Sequence, residues 1–470
     1  MPKSRMAEWV IVGLATSALV VGGISAFTFR EPLLAAAGME IRGGEPTIGP
    51  EVFEPPTEPP APPENLAPPV AVPEGEPPDA AVLKQKLDSL DTSTIVTPEG
   101  QAAALGYEII DVASGEVLAS RNPDQPLIPA SNTKTLTAVA VMNAFQGQER
   151  FQTKVVAPDE SSIVLVGGGD PLLTAEPVEA GSYPNPPSLR QLAASTAEKL
   201  KGQGLTSLQL GYDASYFERA GWASTWPDGY RSQVTEISAL WSDEGKVGGV
   251  RSRTPALAAA ELFAAQLGEL GITIEGEPQP MTASGGEIAS VDSLPVQTLV
   301  EQAMLHSNNS FTEVLGMQLA KATGHPTTFE GSTAAIEEQL TSLGLWADGA
   351  SLDDASGLSR TNHFSAGMLA KVNLQLVRDP RLTGILDGLP VAGVTGTLHD
   401  RFGHEISAPA RGVARAKTGT LSNVSSLGGT TKTADGAVVV YGIIANGQES
   451  AWGSKVWEDQ IVGTLSGCGC

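Results

Sequence analysis

Three short strings lie in one order along the chain: Ser131-Asn132-Thr133-Lys134, Ser307-Asn308-Asn309 and Lys417-Thr418-Gly419. A serine hydroxyl is a weak nucleophile until a base within hydrogen-bond reach takes its proton. Positions i and i+3 share a helix face, so Lys134 can lie one turn beyond Ser131 and act as that base. It must be neutral to do so, and burial or a second nearby ammonium, Lys417, would each pull its pKa down. Ser307 could hand a proton to the leaving group, and the Asn309 amide could hold Lys134 or the substrate backbone. Lys417 and Thr418 would face a substrate carboxylate, while Gly419 would leave room for a substrate to lie against its strand. The N–H groups of Ser131 and Thr420 could then form an oxyanion hole. The chemistry is serine acyl transfer with lysine, not histidine, as base. No other lysine stands three places after a serine, and Lys-Thr-Gly occurs once.

The elements that must hold these strings are legible in outline. Pro129-Ala130 suits a helix start, which sets Ser131 at a positive N-terminal end. The run from Ser131 to Phe145 is apolar with few breaks, as a buried helix would be. Ser307 to Asn309 fall between a helix ending near His306 and one starting near Ser310. Arg415–Leu421, Ser425–Thr430 and Val438–Ile444 read as antiparallel strands with a hairpin turn at Asp435-Gly436, and Trp452–Leu465 as a closing amphipathic helix. Tyr107–Ile110 and Glu116–Leu118 flank a turn at Ser114-Gly115, after a helix from Ala81 to Leu90. Between the first two strings the pattern changes to strands alternating with helices: Ser162–Val166, Leu189–Lys201, Leu208–Tyr212, a helix capped by Thr254-Pro255 and ended by Gly271, then Ile272–Ile274. Helices flanking an antiparallel sheet make the class α+β. Residues 80–150 and 291–470 are the expected catalytic domain, with a smaller α/β domain inserted at 151–290.

Other readings are weaker. Gly167-Gly168-Gly169-Asp170 lacks phosphate-loop spacing, and Asp170 would repel a phosphate, so it reads as a structural turn. His306, His325, His363, His399 and His404 show no metal-type spacing, and His306 beside Ser307 reads as a helix-end residue. The only cysteines, Cys468 and Cys470, are too close to staple a fold and make a poor metal site. No metal or cofactor is expected. A net charge of -24 and a pI near 4.6 argue against nucleic acid as a partner, which needs a basic footprint.

At the N-terminus, Lys3 and Arg5 precede a charge-free run from Trp9 to Phe29, long enough to cross a bilayer. Basic residues on the short flank place residues 1–8 in the cytoplasm and the rest outside. Ala35-Ala36-Ala37 offers the rival of a cleaved signal and a secreted protein. Residues 43–78 are dense in proline and glutamate, a composition that favours an extended spacer.

With its strings in this order the chain resembles the penicillin-binding proteins, for which the Ser-x-x-Lys, Ser-x-Asn and Lys-Thr-Gly set is a known signature. Within them it is similar to the D-alanyl-D-alanine carboxypeptidase/endopeptidases of low molecular mass, peptidase family S13. Four further strings carry that likeness: Pro129-Ala130-Ser131, Leu165 to Pro171, Ser356 to Asn362, and Leu389 to Leu398. The resemblance implies a transpeptidase/β-lactamase-like fold and a nucleophile at Ser131 with Lys134 as base. It implies proton relay and positioning by Ser307 and Asn309, and a substrate strand of Lys417, Thr418, Gly419 and Thr420. The implied partners are peptidoglycan stem peptides and β-lactams. Asn308 departs from the commoner aspartate. A β-lactamase sharing the site, or a catalytically idle wall-binding protein, are the competing expectations.

Overall fold

The computed structural model describes residues 75–470; the expected cytoplasmic stub, the anchor and nearly all of the spacer lie outside the described residues. Among the described residues no helix is long and apolar enough to cross a membrane. The strands are β1 (Ala104–Asp111), β2 (Val117–Arg121), β3 (Gln152–Asp159), β4 (Ser162–Val166), β5 (Ser207–Asp213), β6 (Lys246–Val247), β7 (Val250–Arg251), β8 (Thr273–Ile274), β9 (Gln279–Pro280), β10 (Gly286–Asp292), β11 (Arg415–Leu421), β12 (Val424–Lys432) and β13 (Val438–Asn446).

One sheet runs β11-β12-β13-β1-β2, antiparallel throughout. Its central strands β1 and β13 are buried along almost their whole length. Side chains alternate between faces, so both faces must be covered. Tyr441 and Ile443 pack with Leu83, Leu87, Trp457, Ile461 and Leu465 on one side. Ile444 faces the other core, with Leu136, Val139, Phe311, Ile336 and Leu369. Gly442 lets helix Ala366–Arg378 rest directly on β13, because a Cβ there would overlap the Ala366 carbonyl. The last helix, Ala451–Ser466, is buried at most positions instead of along one stripe, since it fills the space between this sheet and the first described helix, Ala80–Asp88. Cys468 and Cys470 are disulfide-bonded to each other, so neither is free for a metal.

The second sheet takes its strands from residues 152–292, in the order β10-β3-β4-β5-β8, with β9 also on β5. β4, β5 and β8 are parallel neighbours, and parallel pairs need long crossovers. Helices Leu189–Gly202 and Pro255–Glu269 supply them and pack Leu192, Ala197, Phe263 and Leu267 against Ile163, Leu165, Leu208 and Leu210. On the other side β3 pairs antiparallel with β4 and β10 antiparallel with β3, so the sheet is mixed. Ser188 and Gln191 form a capping box at the first crossover helix, whereas Thr254 makes no side-chain cap at the second. Pro255 at its first turn still suits the start.

Candidate active site

The nucleophile candidate sits on a tight turn. Ala130–Asn132 form one 3-10 turn, and helix Thr133–Ala144 follows at once. Ala130 takes φ +48°, and strand β12 pins the turn: Ser426 Oγ donates to the Pro129 carbonyl (2.6 Å) and Asn132 Nδ2 to Ser426 Oγ (2.8 Å). Gly419 on β11 is needed here, since a Cβ would overlap Ser426 Oγ and crowd the Pro129 carbonyl. The missing side chain therefore makes room for the nucleophile turn, not for a substrate as its strand position suggests.

Helix Thr133–Ala144 is buried from Thr133 to Met142, which takes Lys134 into the interior at 0 % exposure. Its Nζ donates to Ser131 Oγ (3.1 Å), to Asn309 Oδ1 (2.6 Å) and to the Ser356 carbonyl (2.6 Å). Burial pulls its pKa down to about 8, and the charges of Asp354 and Glu313 oppose a further fall. Both carboxylates are fully buried and organise the turn that supplies the Ser356 carbonyl. Asp354 accepts from the N–H groups of Gly357 (2.7 Å) and Ser359 (2.5 Å), from Asn362 Nδ2 (2.7 Å) and from Trp226 Nε1 (2.7 Å). Glu313 accepts from the N–H groups of Ala355 (3.1 Å) and Ser356 (2.8 Å), and burial with the charge of Asp354 pushes its carboxyl up to about 8.

The second string stands across the cleft. Ser307 takes φ +51° between helices Val296–Leu305 and Asn309–Thr323. Asn308 caps the latter by accepting from the Phe311 N–H (3.1 Å). Asn309 Nδ2 donates to the Gln233 carbonyl (3.0 Å), which orients its Oδ1 toward Lys134. His306 is exposed and Ser307 is served by Lys417, whose Nζ donates to Ser307 Oγ (2.7 Å) and to the Thr418 carbonyl (2.8 Å). Lys417 is at 0 % exposure, and burial and the charge of Lys134 hold its pKa well below the usual lysine range. Thr418 Oγ1 donates to Thr397 Oγ1 (2.8 Å). The structure thus brings all three strings together, with Ser131, Ser307, Thr397, Arg401, Thr418, Thr420 and Lys455 lining a cleft of about 410 Å³.

Reading the three strings alone missed Glu313, Asp354, the Ser356 and Gln233 carbonyls, Thr397, Arg401 and Lys455. Glu313 had a signal, as a lone acid in the otherwise uncharged run from Asn308 to Ala320. Ser356 and Thr397 lie in strings that carried the family likeness. Gln233 and Lys455 had none.

Comparison with known proteins gives the family. The D-Ala-D-Ala carboxypeptidase 3 (S13) family matches over residues 87–249 and 242–467. A carboxypeptidase of Mycobacterium tuberculosis is 33% identical over 392 residues, covering 80% of this chain and 83% of that one. Carboxypeptidase DacB of Mycolicibacterium smegmatis is 30% identical over 377 residues, covering 77% and 80%. In structure the chain is similar to penicillin binding protein 4 of Haemophilus influenzae, with TM-score 0.67 and 22% identity over 83% of this chain and 99% of that one. The chain belongs to the D-Ala-D-Ala carboxypeptidase (S13) family and is a serine-type carboxypeptidase of that family.

Proposed function

We propose that Ser131 is the acylated nucleophile of a D,D-peptidase that removes the terminal D-alanine from peptidoglycan stem peptides. The observation that carries this is the fully buried Lys134 Nζ, 3.1 Å from Ser131 Oγ and lowered to about 8. Neutral Lys134 takes the Ser131 proton as Oγ bonds to the carbonyl carbon of the penultimate residue. The N–H groups of Ser131 and Thr420 receive the oxyanion. As the C–N bond breaks, Ser307 gives its proton to the leaving nitrogen and regains one from the Lys417 ammonium that meets it. The proton that Lys134 took from Ser131 replaces the one Lys417 gave, which leaves Lys134 neutral again. Water then attacks the ester carbon, its proton passes to Lys134, and Lys134 returns it to Ser131 Oγ as the ester C–O bond breaks. Thr418 and Thr420 hold the substrate strand, and Asn309 keeps Lys134 in place.

A β-lactam follows the same first step and remains attached as its acyl-enzyme, so the protein binds penicillin. A β-lactamase needs a further base to activate water, and no acidic side chain is among the described residues lining the cleft. Labelled penicillin should stay on the protein, and mass spectrometry of a digest should place it on Ser131. An adduct elsewhere, or none on folded protein, sinks the assignment.

The second sheet, built from residues 152–292, supports reading 151–290 as an insertion into a catalytic domain of 80–150 and 291–470. The activity is extracytoplasmic, and the run from Trp9 to Phe29 supports a membrane anchor for it. Membrane fractionation of the full chain tests the anchor; a mature N-terminus just after Ala37 would refute it.

A further inference from the structure

Three cations stand at the strand wall of the cleft, and their surroundings differ in what charge they leave for a ligand. Lys417 is fully buried, with its ammonium turned to Ser307 Oγ and the Thr418 carbonyl, so it does not line the cleft. Arg401 lines it but is already paired: its Nη2 lies 3.0 Å from Glu458 and 2.7 Å from Asp459. Two carboxylates against one guanidinium leave no surplus positive charge. Lys455 lines the same cleft, is only half-buried, and makes no ion pair among the described residues. Its backbone carbonyl accepts from Arg401 Nη2 (3.0 Å), which ties that turn of helix Ala451–Ser466 to the cleft. No acidic side chain is among the lining residues. Beside it, the Thr418 hydroxyl donates to Thr397, leaving the Thr397 proton free for an acceptor.

We propose that Lys455 is a specificity-determining residue of the carboxylate site expected at Thr418: with Thr397 beside it, its ammonium supplies, on the leaving-group side of Ser131, the charge that the Lys-Thr-Gly string suggests for Lys417. The inference rests on the D,D-peptidase reading, in which the departing residue carries an α-carboxylate next to the scissile amide. Arg401 is the positioning residue that holds the Lys455 turn. The subsite selects leaving groups with a free carboxylate over those in which it is blocked.

The test compares kcat/KM for an acyl-D-Ala-D-Ala peptide with that for its C-terminal amide. Lys455→Met should lower the acid-to-amide ratio about ten-fold or more, the usual scale for a lost hydrogen bond to a charged group. Lys455→Arg should keep the ratio within about three-fold, because the charge is retained. In the wild type the acid preference should fall with added salt, since a half-exposed ammonium is screened. An active wild type whose ratio is untouched by Lys455→Met, or whose preference is indifferent to salt, overturns this subsite alone. A wild type that releases no D-alanine and takes no penicillin on Ser131 overturns the D,D-peptidase reading with it.

Discussion

Lys134 and Lys417 are both lysines at 0 % exposure, near enough for the charge of one to act on the other, yet their surroundings make them different reagents. Beneath Lys134 lie two carboxylates, Asp354 and Glu313, whose charge partly offsets burial and leaves its pKa at about 8. Lys417 has no such counterweight; burial and the charge of Lys134 act in the same direction, both holding it well below the usual lysine range. The comparison teaches that burial alone does not make a base: the acids behind it set the pH at which it becomes one.

The largest effects should come from the Lys134 side. Lys134→Ala should slow acylation by penicillin at least about 100-fold, the lower end of what a positioned base contributes. The sign of the pH dependence follows from the requirement for a neutral amine. Below about 8 Lys134 is mainly protonated and inactive as a base, so the wild-type acylation rate should climb with pH and level off above that value. Between pH 6 and pH 8 the neutral fraction of such a group rises roughly fifty-fold. A rate that is flat over that range would remove Lys134 from the role of base.

Lys417→Ala sharpens the contrast from the other side. Its Nζ meets Ser307 Oγ and not the cleft, so its loss should slow acid and amide substrates alike, by about ten-fold or more. A selective loss on the free acid would return the carboxylate to Lys417 and take it from Lys455. Steady-state kcat/KM on the two peptides separates these outcomes.

Removing the scaffold under Lys134 should be read in stability before it is read in rate. Asp354→Ala strips the partner from two backbone N–H groups, the Asn362 amide and the Trp226 indole, all buried. Each unsatisfied donor costs roughly 1–3 kcal/mol, so with four of them thermal unfolding should register about 4 kcal/mol or more. The accompanying loss of activity should follow from lost folded protein, while in the molecules that stay folded Lys134 titrates lower, since one of the charges opposing its fall has gone, and the pH at which acylation levels off moves down. A variant as stable as the wild type would show that the turn does not depend on Asp354.

How much of this was legible in the sequence depended on the range of the interaction. Helix Thr133–Ala144 and strands β4, β11, β12 and β13 follow from local periodicity and turn residues, and their bounds lie within a few residues of expectation. β3 and β10 did not show, because neither carries a clean alternation: β3 is interrupted by a register shift against each neighbour, and β10 is an edge strand, half solvated. In the site, the three strings announced the reacting side chains. The pairing of Lys417 with Ser307 across 110 residues did not follow from them, since a spacing says nothing about which way an ammonium turns. Gly419 shows the same limit: only the packed β12 and its Ser426 reveal that its space belongs to Pro129 and Ala130. Gln233 enters the site only through its backbone carbonyl, which accepts from Asn309 Nδ2 and which no residue type can advertise.

The smallest predicted effect concerns the residue in which the second string departs from its commoner form. Asn308 lies between Ser307 and Asn309, both in the network, but its own side chain turns back to accept the Phe311 N–H at 3.1 Å. It is a helix N-cap, and asparagine and aspartate are nearly equal in that role. Asn308→Asp should therefore leave the melting temperature within a degree or two. Asn308→Ala should cost about 1 kcal/mol by losing the cap. Neither should alter the rate of penicillin acylation per folded molecule by more than about two-fold, because the side chain faces its own helix and not the cleft. A rate that changed strongly in the aspartate variant with stability intact would show that a charge at 308 is felt at Lys417 or Lys134. The contrast between the two lysines would then have to include a third carboxylate.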